Sequence, residues 1–239
     1  MDGSNIGAFV TYFNDRSFSM DRLYHYNVGL TANLTLPMGI KVSSEFDYQI
    51  GGKEYYYTAD GNDFDWTGYA FMAKAAIPPM LDNKLALATE FGIGSGDDPA
   101  TADFEGYVGV GPFYPYAWAY EYRFIHFIHN SSGLYGQHSK ALAVNLAPGM
   151  ENTTYLKATR RVTLPFNEKY IVSPIWLGMT QEGETFGYEL DNIISVPLYK
   201  NFSYQFIFAY VMPSDYIKDI APSIKDNAYG IRSQLQVTF

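Results

Sequence analysis

The segment from Ile40 to Ile50 alternates without a break. Ile40, Val42, Ser44, Phe46, Tyr48 and Ile50 fall on one face, and Lys41, Ser43, Glu45, Asp47 and Gln49 on the other. A period of two is that of an extended strand whose faces meet different surroundings, and no helix sustains it. The pattern recurs along the chain. Val28, Leu30, Ala32, Leu34 and Leu36 oppose Asn27, Gly29, Thr31, Asn33 and Thr35. Leu85, Leu87, Thr89, Phe91 and Ile93 oppose Ala86, Ala88, Glu90 and Gly92, and Phe202, Tyr204, Phe206, Phe208 and Tyr210 share one face. The last ten residues, GIRSQLQVTF, set Ile231, Ser233, Leu235, Val237 and Phe239 against Gly230, Arg232, Gln234, Gln236 and Thr238. Such runs approach the roughly 9–11 residues of a tilted membrane strand and exceed the about 5–6 of a soluble one.

The connections alternate in length. Short turns are expected at 37–39, 78–84, 165–169 and 197–201, each at an apolar residue followed by proline, which ends a ladder and fixes φ for a tight turn. Long polar connections are expected at 15–22, 51–65, 94–152, 181–185 and 212–227. Short and long connections in strict turn are the layout of an outer-membrane barrel, with brief turns on one side and longer loops on the other. The expected fold is therefore all-β: a single transmembrane antiparallel up-and-down β-barrel domain over residues 1–239. Ten strands fall near 5–14, 23–36, 39–50, 66–77, 84–94, 153–164, 169–180, 185–197, 201–212 and 228–239, or twelve if residues 116–147 form an extra hairpin. Residues 95–152 otherwise make a long extracellular or plug-like loop, whose aromatic run GPFYPYAWAYEYRF is expected to pack on the barrel mouth.

Composition agrees. Charged residues are 17%, below the about 25% of ordinary soluble domains, and aromatic residues are 18%. No stretch of about 20 predominantly apolar residues offers a membrane helix. The absence of cysteine removes thiol catalysis and disulfides, and a net charge of −9 argues against nucleic acid as a partner. Met1-Asp2-Gly3 starts neither basic nor apolar, so an exported protein is expected here as a mature chain behind an added Met, or as a fragment.

If the polar faces line a pore, the ionisable residues along the solute path are Lys41, Lys74, Lys157, Arg161 and Arg232 with Glu45, Asp47, Glu90, Glu189 and Asp191. Paired as a ladder, the same charges equally suit a narrow structural or adhesive barrel with no pore, the aromatic loop then serving as contact surface. Rings of charge set selectivity in a channel. Arg160 falls on the apolar face with Leu156, Ala158 and Val162, which calls for a bulge, a position near the interface, or protein contact. Among the acidic loops, Asp97 and Asp98, or Asp60, Asp63 and Asp65, are weak calcium candidates, since carboxylate oxygens suit that ion. No other metal and no cofactor is expected. Catalysis would fall to His126, His129 or His138 with Ser131, Ser132 or Glu121. There is no G-x-S-x-G element, and the chain reads as a non-enzyme.

Several motifs in order resemble the alginate-export family of outer-membrane barrels. Tyr26 to Gly29 followed by SSEFDYQIGG resembles a strand of that family ending in an acidic residue, Tyr, Gln and Gly. Ser95, Gly96, Asp97 and Asp98 resemble its SGD loop, and Phe113-Tyr114-Pro115 its downstream aromatic–proline element. Asn152 through Leu156 to Pro165 resembles its next strand, and Gly187-Tyr188-Glu189-Leu190-Asp191 its G-x-E-x-D strand. Phe239 resembles the terminal aromatic that such barrels present to the outer-membrane assembly machinery. The likeness covers nearly the whole chain but only the C-terminal half or so of a typical member. It implies a bacterial outer-membrane location, a lipid bilayer around the barrel, and a channel for a hydrophilic solute, with an anionic polysaccharide as the family's kind of cargo.

Overall fold

The computed structural model describes residues 3–15, 21–55, 64–96, 98, 100–101, 103, 105–107, 152–165, 168–180, 183–220 and 226–237. Ten strands follow one another in a single antiparallel sheet: β1 (Asn5–Asp15), β2 (Asp21–Thr35), β3 (Lys41–Tyr55), β4 (Phe64–Ala76), β5 (Leu85–Gly94), β6 (Thr153–Thr163), β7 (Lys169–Met179), β8 (Thr185–Tyr199), β9 (Phe202–Pro213) and β10 (Ala228–Val237). Each strand pairs only with its neighbours in sequence, which is the up-and-down order. The alternation and the proline turns thus led to the right fold class and to ten strands. Among the described residues no ladder joins β10 to β1, so both remain sheet edges.

The boundaries differ in three informative places. β3 and β4 run through much of the connection expected at 51–65, and Arg22, Leu23 and Tyr24 of a lengthened β2 pair with Glu54, Lys53 and Gly52. Pro197 does not end β8. The strand continues to Tyr199, and the register shifts between Pro197 and Tyr199, an irregularity that accommodates the missing N–H. The connection after β9 contains a short helix, α1 (Asp215–Ile220), with Lys218 paired to Asp215 at 3.2 Å. The expected hairpin at 116–147 lies outside the described residues. β5 and β6 nevertheless pair directly from Leu85↔Val162 to Ile93↔Thr154, so no hairpin intervenes between them in the sheet.

Burial follows the alternation. Val28 and Leu30 are 41% and 54% exposed, while Asn27, Asp47 and Gln49 are fully buried. Apolar side chains therefore stand on the open face and polar ones on the covered, inner face, which inverts the soluble arrangement. The inner face is not uniformly polar. Met72, Ile175, Ile207, Ala209 and Val211 are buried on it beside the charges.

Candidate functional site

Register brings four charges of the inner face into one cross-strand row. A cross-strand row runs Ser43, Lys74, Glu90, Lys157, Ile175, Glu189 and Val211 from β3 to β9. Within it Lys74 Nζ lies 3.8 Å from Glu90 Oε2, and the Tyr155 hydroxyl donates to Glu90 Oε1 at 2.9 Å. Lys157 feels the charges of Glu90, Asp191, Lys74 and Glu189. One row further towards the long loops, Glu45 is buried opposite Met72. Beyond it, Asp47 sits between Gly29 and Ala70 and takes a hydrogen bond from Asn27 Nδ2 at 3.2 Å. One row towards the short turns from the Glu90 row, Asp191 lies between Ser173 and Ala209.

The ten sequence-named charges are therefore not mixed evenly. All five carboxylates are buried. Lys74 and Lys157 share their zone, whereas Lys41 and Arg161 are exposed at the short-turn ends of β3 and β6. Arg232 is placed on the inner face by its pairing with Ile207, and its side chain lies outside the described residues.

The segment after β5 folds onto this face. Ser95 holds it. The Ser95 amide donates to Tyr69 O at 2.8 Å, its hydroxyl donates to Glu105 O at 2.7 Å and accepts from the Tyr69 amide at 2.9 Å, and its carbonyl accepts from the Tyr107 and Asn152 amides at 3.1 and 2.9 Å. Trp66 Nε1 donates to Gly106 O at 3.1 Å, and the fully buried Tyr107 donates its hydroxyl to Asp47 Oδ2 at 3.3 Å. Gly68 lets the segment come this close, since a Cβ there would stand 2.8 Å from Gly106 O. Of the SGDD motif, Ser95 is thus a structural knot and Gly96 continues the chain beside it. Tyr48, Tyr69, Gly96, Asp98, Glu105 and Thr180 line a cavity of about 430 Å³ at this rim.

The calcium candidates fit poorly where they are described. Asp98 Oδ1 accepts the Ala100 amide at 2.9 Å, and Glu105 Oε2 accepts the Asp98 amide at 3.2 Å, so these carboxylates are turned onto the loop's own donors. Asp97, Asp60 and Asp63 lie outside the described residues, as do His126, His129, His138, Ser131, Ser132, Glu121 and Phe239. No group of three or more metal-ligating side chains occurs among the described residues.

Sequence reasoning passed over Asn27, Gln49, Tyr107 and Tyr155, all buried on the inner face. Asn27 and Gln49 carry the alternation but no charge, and Tyr155 precedes Lys157 by the strand period. Nothing local to Tyr107 marks it.

The described strands form one ten-stranded up-and-down antiparallel sheet with an open apolar face and a covered charged one, the arrangement that the wall of a membrane β-barrel requires. No protein-family profile and no curated protein sequence matches the chain. Among solved structures it is similar to the crystal structure of Pseudomonas aeruginosa OccK5 (OpdH), with a TM-score of 0.42 and 10% identity, over 97% of this chain and 58% of that one. The chain thus spans less than two thirds of that protein's length.

Proposed function

We propose that the chain forms the wall of a narrow, non-enzymatic channel for small hydrophilic solutes in a bacterial outer membrane. The observation that carries this reading is the inversion of the two faces, with apolar side chains open and five carboxylates covered. Lipid rewards that order and water does not. The two longest connections, 95–152 and 214–227, leave the sheet at the same end, which supports it. A barrel closed by these ten strands alone would enclose far less space than the about 16–18 of wide aqueous pores, which would favour small solutes. On this reading the lipid bilayer is one partner, and the assembly machinery, reading Phe239, is another.

The resemblance to alginate exporters suggests a finer cargo, an anionic polysaccharide. The inner face counts against it, since among the described residues a polyuronate would meet five buried carboxylates and only Lys74 and Lys157 beside them. A pore-less structural barrel is the second reading, favoured by one observation: Tyr107 is buried on the inner face and bonded to Asp47.

Conductance of the refolded chain in a planar bilayer, with and without added polyuronate, separates the three. Stable steps indifferent to the sugar are expected. Block by the sugar would restore the polysaccharide reading. Silence from protein shown to be inserted would favour the pore-less barrel.

A further inference from the structure

The buried carboxylates of the inner face differ in one respect. Asp47 accepts hydrogen bonds from Asn27 and Tyr107, and Glu90 accepts one from Tyr155 with Lys74 beside it. Glu45 and Glu189 also have partners. Asp191 is 1% exposed, and among the described residues neither of its oxygens has a hydrogen-bond partner. A covered carboxylate in that state is strongly unfavourable, and native structures answer it with a cation, a proton or a bound molecule.

The surroundings supply the rest of a cation site. Ser173 of β7 lies directly opposite Asp191, and its hydroxyl is 3.2 Å from that of Thr159 on β6. The next residue, Pro174, has no N–H to give, and the β6–β7 ladder skips the pairs that Ala158 and Thr159 would make. Two side-chain hydroxyls therefore meet in the cross-strand row of the carboxylate, at a break in the ladder. Lys157 acts on Asp191 electrostatically, but Glu90 and Glu189 draw it as well. Hydroxyl and carboxylate oxygens are hard donors. A single carboxylate with neutral hydroxyls and a lysine in reach suits one positive charge rather than two.

We propose that Asp191, with Ser173 and Thr159, binds a singly charged cation on the inner face, either an inorganic ion or the ammonium group of a solute, and so biases the channel towards cations. The bias rests on the channel reading above; the binding site does not.

The test pairs a conductance readout with an equilibrium one on wild type and Asp191→Asn. Asp215→Asn, which removes an exposed carboxylate on α1, serves as the surface-charge control. In a bilayer under a KCl gradient, wild type is expected to prefer K⁺ over Cl⁻ by about fivefold, Asp191→Asn to fall to about unity, and the control to match wild type. In detergent at constant ionic strength, K⁺ or methylammonium is expected to raise the wild-type Tm by about 3 °C over N-methylglucamine, with the rise lost in Asp191→Asn. A rise with K⁺ alone identifies an inorganic ion, and one with methylammonium an ammonium-bearing solute. Conduction with unchanged selectivity in Asp191→Asn and no cation-specific Tm rise would overturn the proposal and leave the channel standing. A Tm rise lost in the variant, with no conduction from inserted protein, would keep the site and remove the channel. Should Asp191→Asn fail to refold, Ser173→Ala replaces it with the same expectations.

Discussion

Asp47 shows how one carboxylate ties a loop to a wall. Its two oxygens are taken separately, one by Asn27 of β2 and the other by Tyr107 of the segment that follows β5. Tyr107→Phe deletes the second donor and leaves that oxygen buried, so a loss of about 1–3 kcal/mol is expected for a buried acceptor left without its partner. Urea unfolding read by heat-modifiable gel mobility measures it, and an unshifted midpoint would mean that the segment is held elsewhere. Gly68→Ala attacks the same contact sterically, because its new Cβ would press on the backbone of Gly106 and Tyr107. Arg160 is the opposite kind of residue. The register of β6 with β7 is the same before and after the unpaired Ala158 and Thr159, so no bulge turns Arg160 inward, and it stays exposed on the apolar face opposite Leu87 and Val172. It stands three residues from the end of β6, about 10 Å along the strand, where on the proposed membrane reading its guanidinium would reach the interface. Arg160→Leu is expected to change stability by less than about 1 kcal/mol, whereas Ala158→Arg, at the centre of the strand, costs about 2–4 kcal/mol. Equal costs in the same folding titration would mean that this face of β6 does not look into lipid.

The strands were legible because two signals coincide in each: alternation marks the element, and proline or a polar run marks its end. Where the signals part, the expectation failed. Pro197 reads as a stop but sits inside β8 at a register shift, and Gly51 and Gly52 read as a loop but pair with His25 and Tyr24. Depth was not legible, since it depends on register between strands far apart in sequence. Nothing in the sequence places Lys74, Glu90 and Lys157 in one row. The face of each charge was readable and its neighbours were not, so the inner charge looked balanced when it is segregated. The sidedness of the connections makes its own prediction. The chain has no cysteine, so single replacements report cleanly. Met38 is exposed in the 3₁₀ turn Pro37–Gly39 at the short-turn end, and Asp215 opens α1 at the other. In intact cells a membrane-impermeant maleimide is expected to label Asp215→Cys and to spare Met38→Cys until the outer membrane is breached. Labelling of both at equal rates would remove the transmembrane orientation.

At the scale of the whole molecule the unanswered demand is at the edges. β1 and β10 each present a row of backbone N–H and C=O groups with no ladder among the described residues. Water satisfies such groups at a soluble sheet edge, but hydrocarbon does not, and each one left open there costs several kcal/mol. The topology permits a remedy. With ten strands in strict antiparallel order, β1 and β10 run in opposite directions, so they pair antiparallel if the sheet curls far enough to meet. The strands are long enough for the membrane: the 11 residues of β6 span about 36 Å, or roughly 28 Å of depth at a tilt near 40°, close to the about 25 Å apolar band of outer-membrane barrels. Hydrogen exchange of the refolded protein in lipid bilayers tests the closure. Amides of β1 and β10 are expected to exchange as slowly as those of β3 and β4 in the middle of the sheet. Rapid exchange confined to the two edge strands would show that this chain by itself leaves its wall open, and that the edges await pairing from another strand.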